Sequence, residues 1–203
     1  MRPSICQFIS EAFYDGRLTT DESTSKRHLN LQNSNLANEG IVMIPALHQG
    51  CSQKSVEEGK ILKEHYHSLL NQSFTQSNGT KQTITERDIL VVTPYNVQVN
   101  YLRSLLPGSA KVGTIDKFQG QEAPIVLISM VSSSAEDLPR NIEFLYSKNR
   151  LNVAISRAQC LAVVIANPNL LEISCKTIEQ IKLVNTFCWL NAYAKELHLK
   201  KLA

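Results

Sequence analysis

Two arginines, Arg150 and Arg157, stand seven residues apart in the segment NRLNVAISRA. On a helical wheel at about 100° per residue, Asn152, Ser156, Asn149, Val153, Arg157 and Arg150 follow one another around a little under half of the circumference. Ala154, Ala158, Leu151 and Ile155 fill the other side. A helix over 149–158 packs that aliphatic side on a sheet and turns both guanidinium groups to one polar face. No carboxylate of the segment shares that face. Guanidinium forks beside strand-end loops suit a phosphate ligand. An ordinary solvated face is the alternative that the wheel leaves open.

The elements that must hold this helix are readable around it. Ahead of it lies KVGTIDKFQGQEAPIVLISM, in which a short apolar run, a Gln-Gly-Gln-Glu loop and a second apolar run (125–131) succeed one another. The second run is almost unbroken, as a strand covered on both faces of a parallel sheet requires. Similar runs occur at 41–47, 89–93, 111–115 and 161–166, with helical patterns between most of them. Pro45 places the first of these at a strand end or sheet edge. Ile5, Phe8, Ile9, Ala12 and Phe13 recur at helical spacing behind Pro3, and Ser55-Val-Glu-Glu58 is a capping-box pattern ahead of Leu62, Tyr66, Leu69 and Leu70. Residues 176–197 form a long amphipathic stretch. Residues 19–40 are rich in Ser, Thr, Asn and Gln without periodicity, which predicts a mobile surface connection. Residues 71–87 are polar too, with Asn78-Gly79 as a turn. The fold class is therefore α/β: one domain over 1–203, with a parallel sheet of at least five strands flanked by helices.

Two segments resemble named motifs. TIDKFQGQE looks like motif V, and NRLNVAISRA like motif VI, of superfamily 1 helicases. The likeness is closest to the branch of RNA-surveillance and Okazaki-processing helicases, and closer still to bacterial fusions of a RecB-like nuclease with such a helicase. Thr93-Pro-Tyr-Asn-Val-Gln98 resembles motif IV, and the opening Met-Arg-Pro-Ser-Ile resembles the family's Tyr-Arg-Met-x-Pro motif from just inside it. The motif's own arginine would fall immediately before Met1, so Arg2 is not credited with its role.

The resemblance implies the second, C-terminal RecA-like domain of a DNA helicase, a P-loop NTPase fold without its own P-loop. Arg157 then matches the arginine finger of motif VI, the catalytic cation that neutralises the γ-phosphate across an interdomain cleft. Gly120, Glu122, Asn149 and Arg150 match the nucleotide-facing positions. Thr93, Tyr95, Thr114 and Lys117 match positions facing single-stranded nucleic acid, Tyr95 as a ring able to stack on a base or ribose. ATP and Mg²⁺ are the implied cofactors. They would be held mainly by an N-terminal RecA-like domain, because the sequence has neither Gly-x-x-x-x-Gly-Lys-Ser/Thr nor a strand ending in Asp-Glu. The isolated chain is thus expected to be inactive. A stand-alone nucleic-acid-binding or regulatory module is the competing reading. A dinucleotide-binding enzyme is disfavoured, since no Gly-x-Gly-x-x-Gly follows a strand.

Composition sets the remaining bounds. A net charge of +3 permits nucleic-acid binding only through a local basic site. No apolar run reaches the ~20 residues of a membrane span, and the opening residues lack a signal-peptide core. The five cysteines are odd in number and scattered, which predicts reduced thiols, a cytoplasmic setting and no structural metal. His65 and His67, two residues apart on a helix, do not share a face.

Overall fold

The computed structural model describes residues 1–32 and 34–199. In chain order the elements are helix α1 (Pro3–Phe13), strands β1 (His28–Asn30) and β2 (Gly40–Pro45), helix α2 (Val56–Leu69), strands β3 (Ser73–Thr75), β4 (Lys81–Thr83) and β5 (Ile89–Thr93), and helix α3 (Asn96–Leu105). Strands β6 (Lys111–Thr114) and β7 (Ala123–Ser129), helices α4 (Ile142–Leu145) and α5 (Lys148–Ser156), strand β8 (Ala158–Ala166) and helix α6 (Ile178–Leu199) complete the chain.

Five strands pair in parallel in the order β2-β8-β7-β5-β6. Side chains alternate between the two faces, and both faces are covered. Val126 and Ile128 point with Leu90, Val92 and Val164 towards α1, α5 and α6. Ile125 and Leu127 point with Ile89, Val91, Val163 and Ile165 towards α2 and α3. Every residue of β5 and β7 is buried, which is why these strands read as unbroken apolar runs. Each such side chain contributes about 1.5–3 kcal/mol by leaving water. This is the RecA-like α/β arrangement expected from the sequence. Among the described residues, no helix is long and apolar enough to cross a membrane.

The connections fix where a ligand can meet the sheet. Helix α3, after β5, lies on one face; α4 and α5, after β7, lie on the other. The loops leaving the neighbouring strands β5 and β7 therefore turn to opposite sides. Their carboxyl ends mark the topological switch point of an open α/β sheet, the edge at which ligands bind in such folds. The passage from β6 to β7 has no α-helix, only a 3₁₀ turn over Ile115–Phe118. It crosses close above Gly113, where an added Cβ would lie 2.8 Å from Lys117 Cδ and 3.0 Å from Phe118 Cε2.

Three expectations need correction. The helix predicted over 149–158 stops at Ser156, and β8 begins at once with Ala158, so Arg157 caps the helix and lies outside it. Residues 19–40 are more than a polar connection, for they contain a turn over Glu22–Lys26 and strand β1. Leu29 and Leu36 from this stretch are buried beneath α2 and β5. Residues 71–87 likewise contain β3 and β4, which pair with β1 in a three-stranded antiparallel sheet that buries Phe74.

Candidate nucleotide and nucleic-acid interface

The nine candidate residues fall into an amino-edge group, a carboxyl-edge group and a bridge between them. At the amino edge, Ala123 opens β7 opposite Ala158, which opens β8. Glu122 and Arg157 each stand one residue ahead, side by side, and the Arg157 carbonyl accepts the Ala123 N–H at 3.1 Å. Arg157 is half-buried. Its Nε donates to the Val153 carbonyl at 3.2 Å and its Nη2 to Ser156 Oγ at 3.2 Å. Both acceptors belong to the last turn of α5, whose unpaired carbonyls favour a cation. Among the described residues no carboxylate forms an ion pair with it. Glu122 is exposed and accepts from Gln159 Nε2 at 3.3 Å. Gly120, also exposed, has φ +78°, a left-handed conformation that glycine adopts freely.

Arg2 lies near this edge, its N–H bonded to the Gln159 carbonyl at 2.9 Å. Its guanidinium is engaged by Glu39 and by the carbonyls of Ser25 and Arg27. That structural bonding is consistent with withholding a nucleotide role from it.

The bridge is built by Arg150, near the start of α5. Ser147 caps that helix by accepting the Arg150 N–H at 3.5 Å. The Arg150 Nη2 lies 3.6 Å from Asp116 Oδ2, and its guanidinium carbon lies 4.0 Å from the Phe144 ring centroid. Arg140 approaches the same ring at 4.4 Å. The two arginines of the helical segment therefore have separate surroundings, because Arg157 folds onto its own helix end. The carboxylate missing from the wheel comes from the turn after β6. Asn149 is exposed beside Arg150.

At the carboxyl edge, Thr93 ends β5 and Thr114 ends β6, paired with each other in register. Thr93 is fully buried and Thr114 half-buried, while Lys117 is exposed in the following turn. Tyr95 is 5% exposed, and its ring stacks on Phe144 at 5.7 Å with 23° between planes. The ring face expected to meet a base is thus occupied in this conformation. The Thr93 hydroxyl is buried with no hydrogen-bond partner among the described residues, and the Tyr95 hydroxyl, also buried, meets no well-aligned partner but lies near the Ser132 hydroxyl. Burial pushes the Tyr95 phenol above its ordinary value, so the hydroxyl keeps its proton as a donor.

Residues 1–169 match the model of the family described as AAA domain. The chain belongs to that family. Among curated proteins, the AAA-domain chain is 32% identical over 182 residues to the DNA polymerase alpha-associated DNA helicase A of Schizosaccharomyces pombe, covering 83% of this chain and 27% of that protein. It is 30% identical over 198 residues to the putative helicase mov-10-B.1 of Danio rerio, covering 83% and 19%. With the probable RNA helicase armi of Drosophila melanogaster the identity is 40% over 101 residues, covering 46% and 8%. The AAA-domain chain thus matches about a quarter or less of the length of these relatives, and it is a superfamily 1 helicase domain.

Asp116 and Phe144 were missed as functional candidates by sequence reasoning. Asp116 lies inside the motif V segment, where only a folded turn shows that it faces Arg150. Phe144 lies in the four-residue helix α4, too short for its pattern to reveal the Tyr95 stack.

Proposed function

We propose that this chain is the second RecA-like half of an ATP-dependent superfamily 1 helicase, supplying a cation and strand contacts to a nucleotide site built mainly by another domain. The observation that carries the reading is Arg157: a half-buried guanidinium at a strand start, held among the described residues by neutral acceptors of its own helix end. A preformed cation without a carboxylate partner suits developing negative charge on a transferring phosphoryl group. Glu122 and Gly120 lie on the same edge, where a facing domain can reach them together. The residues present fit one side of a triphosphate and no more. No phosphate-cradling loop exists in this sequence, and Glu122 and Asp116 lie in separate surroundings, so magnesium binding falls to the other domain.

ATP, when bound, supplies the phosphoryl transfer whose energy drives domain closure and opening. Within this chain, Arg150 transmits that movement. It touches Asp116 in the turn after β6 and Phe144, which carries Tyr95 at the end of β5. Thr93, Tyr95, Thr114 and Lys117 would then tighten or release the backbone of a single strand, DNA in our reading, in a salt-sensitive and sequence-tolerant way. A RecB-like nuclease in the same protein and a cytoplasmic setting belong to this proposal.

A binding module without ATPase activity is the second reading, favoured by the missing P-loop. ATPase and unwinding assays on the native-length protein, beside the 203-residue chain, separate the two. The helicase reading expects strand-stimulated turnover from the longer protein alone. Equal inactivity of both would leave the binding module.

A further inference from the structure

Glu58 has no exposed surface, yet it is a carboxylate, carried by α2 and turned towards the loop after β2 and the turn after β7. Its Oε2 accepts from Ser129 Oγ at 2.6 Å and from the Val131 N–H at 2.9 Å. Its Oε1 lies 3.1 Å from His48 Nε2, and His48 Nδ1 lies 2.7 Å from Ser133 Oγ. That hydroxyl accepts the Cys51 N–H at 2.9 Å, while Ser129 Oγ accepts from Gln98 Nε2 at 3.2 Å. One arrangement of protons satisfies all of these atoms: Nε2–H donates to Glu58, and Nδ1 accepts from the Ser133 O–H. Serine, histidine and carboxylate in a row resemble a hydrolytic triad, but Ser133 also accepts the Cys51 N–H, and the whole row is bonded within the fold. The network holds a shape.

The shape it holds is unusual. Val131 has φ +75°, a conformation that β-branched residues rarely adopt. Such a residue persists only where its surroundings over-determine it, and here the Glu58 carboxylate grips its N–H. Ser133 N–H bonds to the Cys51 carbonyl at 2.9 Å, and Ser132 Oγ to the Ser52 carbonyl at 3.0 Å, so the turn is tied down from the other side as well. The turn leaves β7 at the topological switch point. Val92 pairs with Ile128, so Thr93 and Ser129 leave the sheet as neighbours. Beside this turn lie the buried Thr93 hydroxyl, which has no partner among the described residues, and the buried Tyr95 hydroxyl, which lies near Ser132 of the turn itself.

We propose that Glu58 is a positioning residue for the strand-binding edge: it fixes the 129–133 turn in its strained form, and with it the neighbouring end of β5 at Thr93, over which the backbone of single-stranded nucleic acid would pass. This rests on the reading of the carboxyl edge given above. Glu58→Gln can keep the network, with its carbonyl taking Ser129 and Val131 and its amide donating to His48 once the imidazole proton moves to Nδ1. Glu58→Ala cannot.

The test is binding of a labelled oligo-dT strand to the 203-residue chain at low salt, followed by fluorescence anisotropy, with ¹⁵N NMR of the His48 ring. Leu62→Ala, a fully buried residue of the same helix, controls for lost stability. The proposal expects Glu58→Ala to weaken binding by about ten-fold or more and Glu58→Gln by about two-fold or less, each ten-fold step being about 1.4 kcal/mol. It also expects the His48 proton to move from Nε2 to Nδ1 in Glu58→Gln, and Leu62→Ala to bind as the unaltered chain does. Equal losses in Glu58→Ala and Leu62→Ala would reduce Glu58 to a stability role and overturn the proposal. Unchanged binding in Glu58→Ala would overturn it while leaving the strand-binding reading intact. No binding by the unaltered chain would remove both.

Discussion

The amino and carboxyl edges of the same sheet are built in opposite ways. At the amino edge Arg157, Glu122 and Gly120 make few bonds, and those few are to neutral groups on neighbouring residues or strands. At the carboxyl edge Glu58, His48, Ser129, Ser133 and Gln98 are buried and bonded to one another at nearly every polar atom. A cation left with only its helix end is ready for a ligand brought by another domain. A network already satisfied has no ligand of its own and can only set the geometry of what lies beside it. In the function proposed above, chemistry belongs to the sparsely bonded edge and positioning to the densely bonded one.

The largest expected effect falls on the sparse edge. In the native-length protein, Arg157→Ala lowers ATP turnover by about 10³-fold or more, while oligonucleotide affinity stays unchanged. Steady-state kinetics alongside anisotropy read both quantities, and undiminished turnover would dissolve the contrast between the edges.

Two glycines sharpen the contrast in packing. A Cβ on Gly59, behind the dense edge, would lie 2.5 Å from Tyr101 Cε1. Gly59→Ala therefore costs about 1–3 kcal/mol of stability by overpacking. A Cβ on Gly120 meets nothing within 4 Å, so Gly120→Ala pays only for its positive φ, about 1–2 kcal/mol. Urea unfolding monitored by circular dichroism ranks the two, and the reverse order would mean that the amino-edge loop is the more tightly packed.

Thr93→Val replaces a buried, unpartnered hydroxyl with a methyl of similar size. It should stabilise the free chain by about 1 kcal/mol, since an unmet polar group is expensive to bury, and weaken oligonucleotide binding. A loss of stability in the same urea experiment would show that the hydroxyl already has a partner in the free chain.

The smallest effect belongs to the bridge. Asp116 is largely exposed, so Asp116→Asn should change stability by less than about 1 kcal/mol. Freed from its carboxylate, Arg150 should show a steeper salt dependence of strand binding, measurable as the slope of affinity against salt concentration.

The main sheet was legible because burial on both faces demands unbroken apolar residues. The runs at 89–93 and 111–115 fall on β5 and β6 almost residue for residue. The run at 125–131 falls on β7, shifted by two residues. The small sheet was not legible. Strands of three residues such as Lys81-Gln-Thr83 carry no period, and His28–Asn30 finds its partner β3 more than forty residues away. Among the site residues, the segments were visible and their pairings were not. The likeness to motif VI drew attention to Arg150 and Arg157, but a wheel has no way to show that the helix ends before the second. Glu58 was legible only as a capping-box acid. The fold keeps half of that box, with Ser55 Oγ accepting the Glu58 N–H at 3.1 Å, and turns the carboxylate inward.

By itself the sequence determined which strands lie at the centre of the sheet, that both faces are covered, and that this chain has no phosphate-cradling loop. These follow from local composition, which each segment carries alone. Only the tertiary structure decided that, among the described residues, Arg157 has no carboxylate partner while Arg150 has one, that Tyr95 is already stacked, and that Glu58 is buried against a strained valine. Those outcomes depend on which distant segments meet, and that is settled when the whole core closes.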